Sequence, residues 1–407
     1  METLEKNVFL FWICLSSILF NACTSTSTSG NAEGKIYTVP VRDKISDNDL
    51  ISLKDDIAKV EYVPLETNDS CLISNIISLQ LTKEYIFAYN GKTDQVFQFD
   101  RKGKFIRQVG RLGSGPGEYS LITEIAADEE SRELYLFQYG DIPLVYSFDG
   151  KFLRSDSIIG TNLHPTASGN HIIKGLTMLP KEYSPYPYMA YVQSKDKKIL
   201  SSVIPYNKSW DEEFNFMQDI VFCKSLGGSA LVHTECNDTV FRVSDSGIEP
   251  VCVLEKKNSV NYNKNIADIR IFKENPVEDK DIQLADMFET NKYIYFRFMF
   301  AGSGDIYIQR LSKKDGQLLS HKVNEKYIEA GTGFPMNNLF GLENDFDGGA
   351  PFYPMVSVDD NTVAQLIPSY LLVHIKDEGL LPELPEELAG INENANPVVA
   401  LLSLIHI

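Results

Sequence analysis

"VFQFDRKGKFIRQVG", residues 96–110, decides the fold once it is laid over "LVYSFDGKFLRSDSI", residues 144–158. Both run strand, acidic turn, Gly-Lys-Phe, strand, and Asp100 and Asp149 stand 49 residues apart. The unit recurs as "YVQSKDKKILSSVIP" (191–205) with its turn at Asp196, 47 residues on, and as "VFRVSDSGIEPVCVL" (240–254) at Asp245, another 49. A fifth copy, "IYIQRLSKKDGQLLSHKV" (306–323), turns at Asp315. The interval there is 70, so an insertion separates copies four and five.

Each turn is preceded by a further strand pattern: "EYIFAYN" (84–90), "ELYLFQY" (133–139), "HIIKGLT" (171–177), "SALVHTE" (229–235) and "KYIYFRFMF" (292–300). Short strands with Gly and Asp turns, repeating every 40–50 residues, predict a β-propeller. One blade buries neither face alone; stacking around an axis buries both, so the strands should be apolar on each side, as these mostly are. A sixth blade is expected near the C-terminus, from "NTVAQLIP" (361–368) and "NPVVALL" (396–402). Its outermost strand is expected from the N-terminal "KVEYVPLET" (59–67), which closes the ring and removes exposed sheet edges. Short helices are expected at 46–56, starting at Ser46 or Asp47, and within 381–396. The predicted fold is therefore all-β: a six-bladed propeller of four-stranded antiparallel blades, spanning 36–402 as one domain.

With the repeats placed, the chain resembles the six-bladed β-propeller lipoproteins of Bacteroides-type bacteria, relatives of NHL-repeat propellers. The resemblance rests on "VPLET" (63–67), "GKFIRQVG" (103–110), "GSGPGEY" (113–119), "NDFDGGAPFYP" (344–354) and "ANPVVAL" (395–401), and covers roughly residues 55–402. It implies a fold and an envelope location but little chemistry. It does not cover residues 403–407; the ending "LLSLIHI" (401–407) resembles a translated sequencing adapter, and 403–407 are read as non-native.

The cellular address is written at the N-terminus. Residues 8–20, "VFLFWICLSSILF", form an uncharged apolar run. Thirteen residues are too short to span a bilayer, which needs about 20. The run suits a secretory leader. "FNAC" (20–23) resembles a bacterial lipoprotein signal, which implies cleavage after residue 22 and lipidation of Cys23. Residues 23–35 are a polar tether. No acidic residues directly follow the cysteine, which favours a periplasm-facing outer-membrane location over the cell surface.

The 407 residues carry a formal net charge of −18. Loss of residues 1–22 removes Glu2, Glu5 and Lys6, leaving −17. Such a surface repels phosphate backbones, so nucleic acid is not an expected partner. No CxxC pair occurs among the six cysteines, which argues against a zinc ribbon or a thioredoxin-like site. Cys223 and Cys236 fall on consecutive strands of one blade, where a disulfide is one option.

The glycine cluster "GRLGSGPGEY" (110–119) invites a phosphate-loop reading, which its chemistry refuses. A phosphate loop needs GxxxxGK[ST] opening a helix. Here Glu118 stands where a cation is needed, and "LITEIAA" (121–127) reads as a strand. The segment is instead the crossing from an outer strand to the next inner one, where glycine permits positive φ and close packing. That would place Arg111, Glu118 and Tyr119 near the channel mouth as ligand-binding candidates. The bland alternative is an Arg111–Glu118 pair that simply holds the loop.

Other candidates are Trp210, among Asp211, Glu212 and Glu213, which suits a sugar-stacking platform or a plug between blades. His164, in the crossing "GTNLHPTA", is a candidate to face the channel. Asn344, Asp345 and Asp347 before Gly348-Gly349 offer spaced carboxylates for Ca²⁺, the one cofactor considered. An Asx-turn explains the same pattern, and the EF-hand spacing is missing. No HExxH or GxSxG pattern is present. The polar insertion 255–281 reads equally as a lid over the channel or a surface loop. The expected function is a non-enzymatic binding or scaffold module, anchored to the membrane through Cys23, for a glycan, peptide or envelope protein. The alternative is a metal-dependent lyase or lactonase of the NHL-like kind. Asp345, Asp347, Glu118 and His164 would supply only a weak ligand set for it.

Overall fold

A computed structural model describes residues 36–41, 49–139, 141–175, 188–203, 220–234, 237–256, 282–300, 304–324, 341–381 and 384–405. The leader, Cys23, the tether, Trp210, Cys236 and residues 257–281 lie outside the described residues, so the expectations placed on them have no structural counterpart here.

Two N-terminal strands, β1 (Tyr37–Val41) and β2 (Ile57–Pro64), precede the repeats. Blade 1 is β3 (Ile76–Leu81), β4 (Tyr85–Asn90), β5 (Gln95–Asp100) and β6 (Phe105–Val109). Blade 2 is β7 (Ile122–Asp128), β8 (Glu133–Gln138), β9 (Asp141–Ser147) and β10 (Phe152–Ser155). Blade 3 is β11 (Asn162–Pro165), β12 (His171–Lys174), β13 (Ala190–Gln193) and β14 (Ile199–Val203). Blade 4 is β15 (Ile220–Ser225), β16 (Ser229–Thr234), β17 (Asn237–Ser244) and β18 (Gly247–Lys256). Blade 5 is β19 (Ile282–Glu289), β20 (Tyr293–Phe300), β21 (Ile306–Ser312) and β22 (Leu318–Lys322). Blade 6 takes β23 (Val356–Asp359), β24 (Thr362–Ile367) and β25 (Val398–Leu404) from the C-terminal end, and β2 as its outer strand.

The expected closure is therefore present: Tyr62 pairs with Ala400 and Pro64 with Val398. Ring closure also shows in the core. Six hydrophobic clusters sit one at each seam between neighbouring blades. Strand β4 shows why: Ile86 and Ala88 pack toward blade 6, while Phe87 and Tyr89 pack toward blade 2. Successive side chains point to opposite faces, so a strand apolar on both faces joins two seams.

The repeated hairpin turn has a physical cause, a polar side chain that opens it: Asp100 in blade 1, and in blades 2 and 3 Ser147 and Ser194, whose hydroxyls accept from the Lys151 amide at 3.3 Å and the Lys198 amide at 3.1 Å. Asp100 accepts hydrogen bonds from the amides of Lys102 and Lys104, both at 2.9 Å, an Asx-turn that fixes the hairpin. A residue of positive φ completes the turn: Gly103 (φ 81), Gly150 (φ 78) and Gly316 (φ 79), and Lys197 (φ 63) in blade 3. A buried glutamine recurs on middle strands, the third of blades 1 and 5 and the second of blade 6. Gln98 donates to Phe148 O of blade 2 at 2.8 Å, Gln309 to Pro40 O at 3.2 Å and Gln365 to Pro351 O at 3.1 Å.

Three features depart from the sequence reading. Strand β1 adds in parallel to β18, making blade 4 five-stranded, with Val39 and Val41 fully buried. Near the N-terminus the described helical turn is a short 3-10 turn, Leu53–Asp55, capped by Ser52; residues 42–48 are outside the described set. Near the C-terminus the α-helix is α1 (Ser369–Asp377), between β24 and β25, and 381–396 holds only a 3-10 turn at Glu386–Leu388. Strand β25 runs through Ser403 and Leu404; Leu404 is buried and pairs with Ile57.

Because strands alternate in direction, the propeller has two distinct faces. Turns after the first and third strand of each blade emerge on one, the hairpin face. The chain enters each inner strand, and leaves each second strand, on the other, the crossover face; the outer strands are twisted away from the axis, so the 110–119 crossing packs by Gly117 against Phe152 at the start of β10.

Candidate functional site

The inner strands β3, β7, β11, β15, β19 and β23 surround a central cavity of about 140 Å³. Its wall includes Ile77, Ser78 and Gln80 from blade 1, Glu124 from blade 2, and Asn162 and His164 from blade 3. Phe222 and Cys223 of blade 4, Asp286 and Phe288 of blade 5, and Met355 and Ser357 of blade 6 complete it.

Two carboxylates line this space, Glu124 from blade 2 and Asp286 from blade 5, which are opposite in the ring order. Burial raises the Glu124 carboxyl above the ordinary range, partly offset by the Lys174 charge and by Asn162, whose side-chain amide donates to it. Burial also raises the Asp286 carboxyl, against the pull of Arg297, the Met287 amide and Lys174. A third of the Asp286 side-chain surface is open to the cavity; its burial is that of a group enclosed by protein yet reachable by a small molecule. Arg297 lies 3.4 Å from Asp286 and stacks 4.2 Å over the Tyr353 ring. The guanidinium is thus shared between an ion pair and a cation–π contact. His164 meets the Phe222 ring edge-on, with centroids 5.9 Å apart. The Cys223 thiol is pushed well above its usual pKa by burial and by the Asp286 and Glu289 charges, which keeps it protonated and unreactive. The arrangement offers hydrogen-bond acceptors and donors within one small, enclosed space.

Of the residues singled out from sequence, His164 is the one that the fold brings to this cavity. Arg111 and Glu118 pair with each other, Nε to Oε1 at 2.6 Å, and the second Glu118 oxygen accepts the Gly115 amide at 2.8 Å. The Gly115 amide, the Arg111 side chain and the Ser114 backbone together lower the Glu118 pKa. The segment lies against the outer half of blade 2: the Tyr146 hydroxyl of β9 donates to Gly117 O, and Phe152 of β10 packs on Gly117. The pair thus holds the loop away from the axis, not at the channel mouth. Tyr119 is fully buried in the seam between blades 1 and 2, because its ring completes a cluster with Tyr89 and Tyr146.

Asn344, Asp345 and Asp347 form a local staple. Asp345 accepts from the Ser52 hydroxyl at 2.5 Å and the Leu53 amide at 2.9 Å. Asp347 accepts from the Tyr62 hydroxyl at 3.0 Å, Asn344 Nδ2 at 2.7 Å and the Gly349 amide at 2.9 Å. The two carboxylates serve different donors, and this ties the N-terminal segment to blade 6. Among the described residues no group of three His, Cys, Asp or Glu side chains is placed to hold a metal ion.

Sequence reading missed Glu124, Asn162 and Asp286. Glu124 and Asp286 each interrupt an apolar inner strand, in "ITEIAAD" (122–128) and "IQLADMFE" (282–289), and Asn162 opens the short inner strand "NLHP" (162–165). A charged side chain within an apolar inner strand is the signal that marks Glu124 and Asp286, although Glu289 on β19 shows that such a residue also serves a seam between blades.

Comparison with solved structures supports the fold. A Bacteroides fragilis protein described as exported is similar over 91% of this chain and 100% of its own, with a TM-score of 0.64 at 17% identity. A member of the DUF4221 family from Bacteroides vulgatus gives a TM-score of 0.49 at 11% identity, over 88% of this chain and 99% of its own. A search of curated proteins found no match. The family model described as a domain of unknown function, DUF4934, matches residues 36–403, and the chain belongs to that family.

Proposed function

We propose that this protein is an envelope propeller, tethered by a lipid on Cys23, that acts as a binding module for a peptide or protein partner. The partner would lodge one polar side chain in the central cavity from the crossover face. The observation that carries this reading is the cavity itself, walled by all six blades and holding Glu124 and Asp286 on opposite sides. Its 140 Å³ is well below the roughly 300–1,000 Å³ of a site that engulfs a small molecule. It suits one side chain of a larger ligand.

The rim favours a polypeptide over a sugar. Ile77 lines the cavity and is 51% exposed. Leu121, just before the inner strand β7, is 52% exposed, and Tyr139, whose amide donates to Leu121 O, is 65% exposed. Exposed aliphatic side chains beside a polar recess are the composition of a protein-docking surface. Among the described residues no helix is long and apolar enough to cross a membrane, so a lipid on Cys23 would supply the attachment.

The test is a thermal-shift screen of the mature chain against peptides and glycans, with Glu124→Gln and Asp286→Asn beside the wild type. A rise in melting temperature with a peptide, lost in either variant, supports the reading. A rise with glycans alone, or one that survives both substitutions, overturns it.

A further inference from the structure

We infer that the side chain admitted to the central cavity is a lysine of the partner, its ammonium held by the carboxylates of Glu124 and Asp286. This rests on the binding reading proposed above and goes beyond it in the charge and chemical class of the occupant.

The sign of the charge comes from the wall. Among the described residues that line the cavity there are two carboxylates, Glu124 and Asp286, one imidazole, His164, and no lysine or arginine. Two cations stand near the wall without lining it. The Arg297 side chain is only 7% exposed and is committed to Asp286 and to the Tyr353 ring. Lys174 reaches both carboxyls through its charge. Their pull does not offset burial, and both carboxyls stay above the ordinary range. A carboxylate enclosed in this way is stabilised most by a cation brought into contact with it, because little water screens the attraction. An acidic side chain would meet two like charges. An apolar one would strip water from both carboxyls without replacing it.

The arrangement of acceptors selects an ammonium over a guanidinium. Asp286 already gives one oxygen to the Met287 amide at 2.8 Å and the other to Arg297 at 3.4 Å. Glu124 gives one oxygen to the Asn162 side-chain amide. Neither presents the two uncommitted oxygens that a guanidinium fork pairs with best. An ammonium needs one acceptor at a time, and its three rotatable donors can serve strands from different blades. Gln80 of blade 1 adds a carbonyl to the same wall. The remaining lining includes Leu79, Leu163, Met287, Phe222 and Phe288, which suits the methylene stem of a lysine. At about 30 Å³ for each water, the 140 Å³ equals roughly four or five waters, space for an ammonium and the last carbons of its stem.

The test is isothermal titration of the full chain at neutral pH with capped peptides of one alanine-rich sequence. They differ at a central residue, which is lysine, Nε-acetyl-lysine or glutamate. The lysine peptide should bind about tenfold or more tightly than its acetylated twin, the worth of one charge-assisted hydrogen bond. Glu124→Gln and Asp286→Asn should each shrink that preference to about threefold or less. The wild type alone gives a second measurement that needs no variant: n-butylammonium should bind and compete with the lysine peptide, and butyrate should not. An acetyl-lysine or glutamate peptide that binds as tightly as the lysine one, and loses affinity in both variants, overturns the lysine while leaving the cavity as the binding site. A lysine preference that survives both substitutions overturns its assignment to these carboxylates. Binding of n-butylammonium with no peptide binding means a free amine and overturns both readings, as does the absence of any binding.

Discussion

Replacing Glu289 by glutamine should destabilise the protein by about 3–5 kcal/mol at neutral pH, as expected when one partner of a buried ion pair is removed. The Glu289 side chain is fully buried on β19, where it joins blades 4 and 5. Arg242 of β17 clamps both of its oxygens at 2.8 Å, Lys313 approaches to 2.5 Å, and the Ser225 hydroxyl donates to it as well. Burial alone would raise the Glu289 pKa, but Arg242 and Lys313 outweigh it and hold the carboxyl down to about 2, from 4.5. A fall of that size corresponds to about 3 kcal/mol. Burial lowers the Lys313 pKa despite its pairing, whereas that of Arg242 rises, so Arg242 is the partner that carries the clamp. Since the folded pKa is depressed, the stabilisation is fully present above pH 4.5 and is lost as pH falls toward 2. Urea unfolding of wild type and Glu289→Gln, followed across that range, measures both quantities. Glu249→Gln is the internal comparison: Glu249 also pairs with Arg242, at 3.2 Å, but its side chain is 69% exposed, so its loss should cost less than about 1 kcal/mol. A Glu289→Gln cost under 1 kcal/mol at pH 7, or a gap that stays constant on acidification, would refute the reasoning.

Two further predictions concern the segments that tie the ring together. Val41→Ala should cost about 2 kcal/mol in the same urea assay and speed hydrogen exchange along β18, because a fully buried side chain at the β1–β18 pairing is truncated; unchanged exchange would mean that β1 is not an integral fifth strand. Asn396→Ala should cost about 3 kcal/mol, since the buried amide accepts from Ile73 N at 2.8 Å and donates to Glu66 O at 2.6 Å and Cys71 O at 2.7 Å. Its specific signature is loss of exchange protection at Ile73, and retention of that protection would count against the assignment.

The sequence by itself determined the blade. Repeats carry their own instructions: two-sided apolar strands, an Asp or Ser side chain that caps the hairpin turn, as at Asp100, Ser147 and Ser194, and a residue able to take positive φ within it. These act over a few residues, so they are readable in any one copy, and the period then gives the ring. The closing strand was legible for the same reason, since "KVEYVP" is a strand with no blade of its own to join. The loop at 110–119 was legible as a crossing, but not its position. Only the packing of Phe152 and Tyr146 against Gly117 drew it outward and buried Tyr119 in a seam. Strand β1 was missed because parallel addition leaves no turn between partners, and Tyr37 meets Cys252 across most of the chain. The cavity was decided by tertiary structure alone. Glu124 and Asp286 belong to different repeats, and nothing local relates them. They line one space because closing six twisted sheets into a ring brings every inner strand to one axis.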